Sequence, residues 1–190
     1  MKPWVGEKYQ EEKLLVLGES SYSWEEGSEV RIPGEDHCMQ LVKWAIEDFE
    51  GCKADKMRFL VLVSKALCGT ENPNSTQISR AWNKVAFANF VAEPVQFGSR
   101  RPTEAMWRRA AENFKPLLEN LKPKNTVVLG KESWSWLPST DYYVTEDVQG
   151  YRLQSDNYIS MCWAVKHPSR SSWKQLAQTI KFIRSCSYEI

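Results

Sequence analysis

Four short apolar runs divide the chain, and each of them stops at a residue that favours a turn. Runs of this length that end at Gly or before Pro are typical of buried strands. The runs are LLVLG (residues 14–18), KVAFANFV (84–91, followed by Pro94), NTVVLG (125–130) and ISMCWAVKH (159–167, followed by Pro168). The pattern therefore predicts four strands.

Longer amphipathic segments accompany these runs and predict helices. Their apolar residues recur at intervals of three and four, which places them along one face of a helix. Thr103 is the predicted N-cap of the third helix, and Gly69 is the predicted stop of the second. The predicted helices lie in residues 36–50, 55–69, 101–123 and 172–186.

Strands that alternate with helices form parallel sheets, because parallel neighbours need crossover connections. We therefore predict an α/β fold, a three-layer α/β/α sandwich whose central sheet has four strands and is mainly parallel. A chain of 190 residues with 42% hydrophobic residues fits one domain, residues 1–190.

Composition excludes several classes of function. The formal net charge is +1, so contact with a polyanion needs a local basic patch. The five cysteines are odd in number and include no CxxC pair, which argues against a disulfide framework and against a zinc or iron–sulfur site. No apolar run approaches the roughly 20 residues that span a bilayer, and no signal peptide is evident. We expect a cytoplasmic protein without metal, cofactor or membrane contact.

Polar and aromatic residues follow each predicted strand. Ligands of open α/β sheets bind beyond the carboxyl ends of the strands, so these residues are candidates for a functional site. The segments are 18–24, 89–90, 130–134 and 167–173.

The ordered set of motifs in these segments resembles the uracil-DNA glycosylase superfamily, most closely its bacterial and archaeal branch. The motifs are VLGES (residues 16–20), VAFANFV (85–91), RRPTEAMWRRAAENFKPLLENLKPKNTVVLGK (100–131) and VKHPS (165–169). The resemblance implies a sandwich of that family's type. It also implies hydrolysis of the N-glycosidic bond of uracil or a related damaged base that has been flipped out of DNA.

The resemblance also implies a role for individual residues. Glu19 falls where that branch has an acid that places or polarises the attacking water, and Asn89 falls on the asparagine that reads the base edge. His167 falls on the histidine beside the base carbonyl. Tyr22 and Trp24 are candidates for the wall of the base pocket, and Ser20 is a further candidate for substrate contact.

DNA is the partner that the resemblance implies, and we expect a monomer. In glycosylases of this kind the loop after the late histidine enters the minor groove, and nearby cations contact phosphates. The predicted DNA-binding residues are Arg100, Arg101, Ser169, Arg170, Trp173 and Lys174.

The first motif departs from the family pattern and leaves two alternatives open. Ser20 and Ser21 stand where the best-known members have Asp-Pro, and Tyr22 stands where the nearest branch has glycine. One alternative is a non-catalytic member of the fold that binds nucleic acid or protein. The other is an esterase of the SGNH family with Ser20 as nucleophile and His167 as base, although Ala164 stands where that family has an acid.

Overall fold

The computed structural model describes residues 1–54, 57–140, 142–154 and 159–186. Nine strands and eight helices lie within these ranges. The strands are β1 (Trp4–Val5), β2 (Leu14–Tyr22), β3 (Trp24–Glu26), β4 (Glu29–Arg31), β5 (Val85–Val95), β6 (Asn125–Leu129), β7 (Tyr142–Thr145), β8 (Val148–Arg152) and β9 (Ile159–Val165). The helices are α1 (Tyr9–Glu12), α2 (His37–Glu47), α3 (Phe49–Ala54), α4 (Arg58–Cys68), α5 (Ser75–Trp82), α6 (Glu104–Leu121), α7 (Lys131–Ser135) and α8 (Trp173–Ser185).

The main sheet has seven strands in the order β1-β5-β2-β6-β9-β8-β7. The four predicted strands β5, β2, β6 and β9 form its centre, and each is parallel to its neighbour within that group. The prediction of an α/β fold with a parallel centre is confirmed. The prediction of four strands is wrong for the part of the chain that the structure describes.

Three antiparallel strands complete the sheet at its two edges. β1 pairs with β5, and the β7–β8 hairpin adds to β9. The sequence did not reveal them because β1 and β7 are only two and four residues long and β8 is interrupted by Gln149 and Gly150, so none of them is a long continuous apolar run. β3 and β4 form a separate two-stranded hairpin that projects from the end of β2.

Helices cover both faces of the sheet because the central strands are apolar on both sides. In β2, Leu14 and Val16 pack with α2, α4, α5 and α8, whereas Leu15 and Leu17 pack with α6 on the other face. This alternation follows from the two-residue period of a strand. The chain thus has two hydrophobic cores, one on each side of a shared sheet.

Most predicted helices form near their predicted limits. The Thr103 hydroxyl accepts the Met106 N–H at the start of α6, and α4 ends at Gly69 in the left-handed conformation; residues 55 and 56 of the predicted second helix lie outside the described residues. Ser172 forms a capping box with Gln175 at the start of α8.

The single helix predicted over residues 36–50 is wrong, because two helices, α2 and α3, meet at Asp48. The Asp48 carboxylate accepts the backbone N–H of Gly51 at 2.9 Å, so it begins α3 directly after α2 has ended. A short polar side chain that competes for backbone groups therefore divides the predicted helix.

The direction of the chain reverses between β2 and β6. From β2 the chain crosses to β5 on one side, and from β5 it returns past β2 to β6 on the other side. Such a reversal leaves a crevice at the carboxyl ends of the two strands, where ligands of open α/β sheets bind. The fold alone therefore locates a candidate site between Glu19, in the second half of β2, and Gly130, directly after β6.

Candidate functional site

A cavity of about 1340 Å³ opens at this crevice. Residues from all four predicted strand ends line it. They are joined by side chains of α2, α4 and the 96–103 loop. The predicted site residues that line it are Glu19, Ser20, Tyr22, Trp24, Asn89, Arg100, Arg101, His167, Ser169 and Arg170.

Two acids line this cavity, Glu19 and Glu132, and Glu19 is the more buried of the two. Its side chain is only 17% exposed, and its Oε2 lies 3.7 Å from Nη1 of Arg101. Burial raises the pKa of the Glu19 carboxyl; the positive charge of Arg101 lowers it, and the negative charge of Glu132 raises it. A carboxylate held in this way is a stronger base than one in water, and it keeps one cation at close range.

Glu19 and His167 meet at Gly130. A Cβ atom built on Gly130 would lie 3.8 Å from Glu19 Oε2 and 3.7 Å from His167 Cδ2. Gly130 also has a φ of +121°, which residues with a side chain rarely adopt. Because Gly130 has no side chain, it leaves open a space that the Glu19 carboxylate and the His167 imidazole both border.

The contacts of His167 fix which of its nitrogens carries the proton. The backbone N–H of Ser169 donates to Nδ1 at 3.2 Å, and Ser169 Oγ lies 2.8 Å from the same nitrogen. Because a backbone amide only donates, Nδ1 accepts, and the proton of the neutral ring is on Nε2. Burial lowers the pKa of His167, and the charges of Arg170 and Arg101 lower it further. These effects favour the neutral imidazole, in which Nε2–H is the donor.

Asn89 lies at the floor of the cavity and is 6% exposed. Its Nδ2 donates to Ser21 Oγ at 2.7 Å, which fixes the orientation of the amide. A Cβ on Gly18 would lie 2.5 Å from Asn89 Oδ1 and 3.3 Å from both Phe59 Cζ and Phe87 Cε2. Gly18 therefore makes room for the Asn89 amide oxygen, and the rings of Phe59 and Phe87 border the same space.

Gly18→Ala is expected to lower the free energy of unfolding by about 1–3 kcal/mol. The new methyl group would push against Asn89, which is buried and held by Ser21, so the amide cannot move away without losing its hydrogen bond. Urea denaturation measures the change.

The matched control is Gly34→Ala. A Cβ on Gly34 meets no atom within 4 Å, so this variant is expected to be neutral or slightly stabilising. Equal stability of Gly18→Ala and the natural chain would mean that Asn89 is not held in place.

Tyr22 and Trp24 lie at the rim of the cavity rather than at its floor. Their exposed fractions are 38% and 44%. The Tyr22 hydroxyl donates to the carbonyl of Arg100 at 3.3 Å, and the Trp24 ring centroid lies 6.0 Å from that of His37. The inner wall is formed instead by Phe59 and Phe87, and the Phe59 ring centroid lies 5.8 Å from that of His167.

Ser20 Oγ is buried and has no hydrogen-bond partner among the residues that the structure describes. A serine nucleophile needs a base within hydrogen-bond reach. His167 instead directs Nδ1 to Ser169. The geometry therefore offers the esterase alternative no Ser–His pair.

Two of the predicted DNA-binding residues lie apart from the cavity. Trp173 and Lys174 begin α8 and do not line it. The Lys174 ammonium lies 5.8 Å from the centroid of the Trp173 ring. Whether they contact DNA stays a prediction.

Several cavity residues carry no signal in the sequence patterns. Phe59 lies on α4, outside every recognised motif, and His37 is the first residue of α2, a position that favours a surface or capping role. His37 is half-buried and burial lowers its pKa. The other lining residues that sequence analysis missed are Gln40, Leu41, Trp44 and Met57, whereas Lys131 and Glu132 lie in the candidate segment 130–134 and Phe87 and Lys166 lie within quoted motifs.

No family model matches the chain, and no curated protein matches it. Within the described ranges, no helix is long and apolar enough to cross a bilayer. The same residues contain no group of three or more His, Cys, Asp or Glu side chains arranged to hold a metal ion.

Proposed function

We propose that this protein is a DNA glycosylase that hydrolyses the N-glycosidic bond of a flipped uracil or related damaged base, with a domain of the uracil-DNA glycosylase type. The observation that carries the proposal is the meeting of the Glu19 carboxylate and the His167 ring at Gly130. Asn89 lines the same cavity. An acid, an imidazole donor and an amide thus border one space.

The three side chains suit the charges that develop in this reaction. The bond between C1′ of the sugar and the base nitrogen breaks, so positive charge builds on the sugar and negative charge on the base. The carboxylate of Glu19 stabilises the sugar and accepts a proton from the attacking water, whose oxygen bonds to C1′. The Nε2–H of His167 donates to the oxygen of the departing base and stabilises its negative charge.

Asn89 supplies recognition of the base. An amide presents a donor and an acceptor side by side, which matches the edge of a pyrimidine. The rings of Phe59 and Phe87 beside it offer an apolar wall for a base that has left the stack. Cations at the rim, Arg100, Arg101 and Arg170, offer contacts to phosphates without sequence preference.

The direct test is incubation of the purified protein with labelled oligonucleotides that contain uracil, hypoxanthine, xanthine or an oxidised base, followed by alkaline cleavage of abasic sites. Strand cleavage at one of these bases supports the proposal. DNA binding without cleavage at any of these bases would favour the non-catalytic alternative. The two serines of the first motif are the sequence feature that favours this alternative.

Arg101→Ala is expected to move the acid limb of the pH dependence of kcat/KM to higher pH. Glu19 must be ionised to act as a base, so activity falls as the pH drops through its pKa. Arg101 lowers that pKa against the effect of burial. Its removal raises the pKa, so the carboxylate takes up its proton at a higher pH than in the natural protein. Initial rates across a pH series measure the limb.

The matched control is Arg100→Ala. Arg100 lines the same cavity but is not among the charges that shift the pKa of Glu19. Both variants are expected to weaken DNA binding, whereas only Arg101→Ala moves the limb. Identical limbs in the two variants would argue against Glu19 as the base.

A further inference from the structure

One face of α2 lines the cavity beside the proposed base pocket. His37, Gln40, Leu41 and Trp44 occupy this face, and their spacings of three and four place them in one row. The row is about 10 Å long, at 1.5 Å per residue. The Trp24 ring, 6.0 Å from His37, extends it toward the β3–β4 hairpin. We call Trp24 and these four residues the α2 shelf.

The α2 shelf is joined to the floor of the base pocket. The buried Cys38 side chain lies in the same core as Phe87 of β5, so the start of α2 packs against the part of β5 that carries Asn89. Pockets for drug-sized ligands occupy about 300–1,000 Å³, and this cavity holds about 1340 Å³. A single base therefore leaves much of it unfilled, including the space along the shelf.

The chemistry of the α2 shelf suits a second nucleobase. Indole rings stack on any base through its π-face, and the shelf has two of them, Trp24 and Trp44. The amide of Gln40 and the imidazole of His37 offer hydrogen bonds to a base edge. We propose that the α2 shelf binds the nucleotide next to the target base and that the substrate is single-stranded DNA. This inference rests on the proposed function, because it takes Glu19, Asn89 and His167 as the site of the target base.

The charges around the cavity favour one strand over two. The cavity is lined by cations from the 96–103 loop and from the segments after β6 and β9. Their positive charge matches the negative charge of one phosphate backbone. The hairpin beside the shelf instead carries Glu25, Glu26 and Glu29 against the single cation Arg31, which pairs with Glu26 and Glu29 at 2.7 and 3.1 Å. A second backbone near this hairpin would meet net negative charge. A duplex would also have to unstack two adjacent bases, whereas a single strand has little pairing to lose.

Fluorescence anisotropy with short labelled oligonucleotides at fixed salt tests the proposal. Each oligonucleotide contains one uracil, and the nucleotide on its 5′ or 3′ side is either thymidine or a stable abasic analogue. Loss of the neighbouring base on one side is expected to raise Kd by about 5- to 150-fold, the range for one stacked base. Trp24→Ala is expected to raise Kd similarly and to remove the difference between the two oligonucleotides. The duplex form is expected to bind more weakly than the single strand.

The control is Phe182→Ala, which removes an aromatic ring that is 60% exposed on α8, away from the cavity; it should bind like the natural chain. Trp44→Ala gives a second variant on the shelf.

An unchanged Kd for both abasic neighbours, or a duplex bound as tightly as the single strand, overturns this inference even if bases are cleaved. Neighbour-dependent binding without any cleavage supports the shelf and overturns the catalytic proposal alone. Absence of any DNA binding overturns both.

Discussion

Glu19→Gln is expected to lower kcat on a cleavable oligonucleotide by about 10²- to 10⁴-fold, the usual contribution of a positioned acid or base. The amide has nearly the shape of the carboxylate, but it can neither accept the proton of water nor stabilise positive charge on the sugar. Single-turnover cleavage with enzyme in excess measures the loss, and anisotropy with the same oligonucleotide measures binding. Kd should change little, because phosphate contacts come from other residues.

The matched control for this variant is Glu47→Gln, which alters an exposed carboxylate at the end of α2, outside the cavity and should leave kcat unchanged. Ser20→Ala tests the esterase alternative, for which the structure offers no Ser–His pair. Glycosylase chemistry tolerates loss of this hydroxyl far better than loss of Glu19, whereas an esterase would depend on it entirely. Full activity of Glu19→Gln would contradict the proposed mechanism.

His167→Ala is expected to lower kcat by about 10²- to 10³-fold, as the removal of one donor to a developing negative charge does elsewhere. The departing base would carry its charge without the Nε2–H, while the loop cations and Asn89 would still hold the substrate. The loss should therefore fall on kcat rather than on KM. Steady-state kinetics resolve the two parameters.

His167→Gln separates loss of the donor from loss of structure. An amide N–H can replace the imidazole donor in part, so this variant is expected to retain more activity than His167→Ala. His167 also accepts the Ser169 N–H, so thermal unfolding of both variants checks the loop after β9. Equal kcat in His167→Ala and the natural chain, with cleavage intact, would exclude His167 from the chemistry.

The two serines of the first motif divide their roles in the structure. Ser21 accepts the amide N–H of Asn89 and fixes that side chain in the cavity floor. Ser20 instead leaves its hydroxyl without a partner among the described residues while lining the cavity. A buried hydroxyl without a protein partner carries a cost in free energy, and the Ser20 oxygen itself is not exposed to the cavity. The departure from Asp-Pro thus places two hydroxyl side chains beside the cavity, and Glu19 is the acid that the first motif contributes to its lining.

The central sheet was predictable because its strands contain continuous apolar runs, although β2 extends past Gly18 to Tyr22 and β5 extends past Asn89 to Val95. The antiparallel strands were not, because β1 and β7 are only two and four residues long and β8 is interrupted by Gln149 and Gly150. Asp48 illustrates a second limit. The apolar stripe runs through residues 36–50 without interruption. The division into two helices is visible only in the structure, where the Asp48 carboxylate accepts the backbone N–H of Gly51.

The sequence by itself determined which chemical groups end the central strands, and the rule for parallel sheets placed Glu19, Asn89 and His167 on one rim. Only the tertiary structure decided what surrounds them. The cation beside Glu19 and the ring of Phe59 beside His167 are contacts between segments far apart in the chain, for which strand periodicity carries no information. The α2 shelf is of the same kind, because a face of a helix becomes part of a site only when packing turns it toward the sheet.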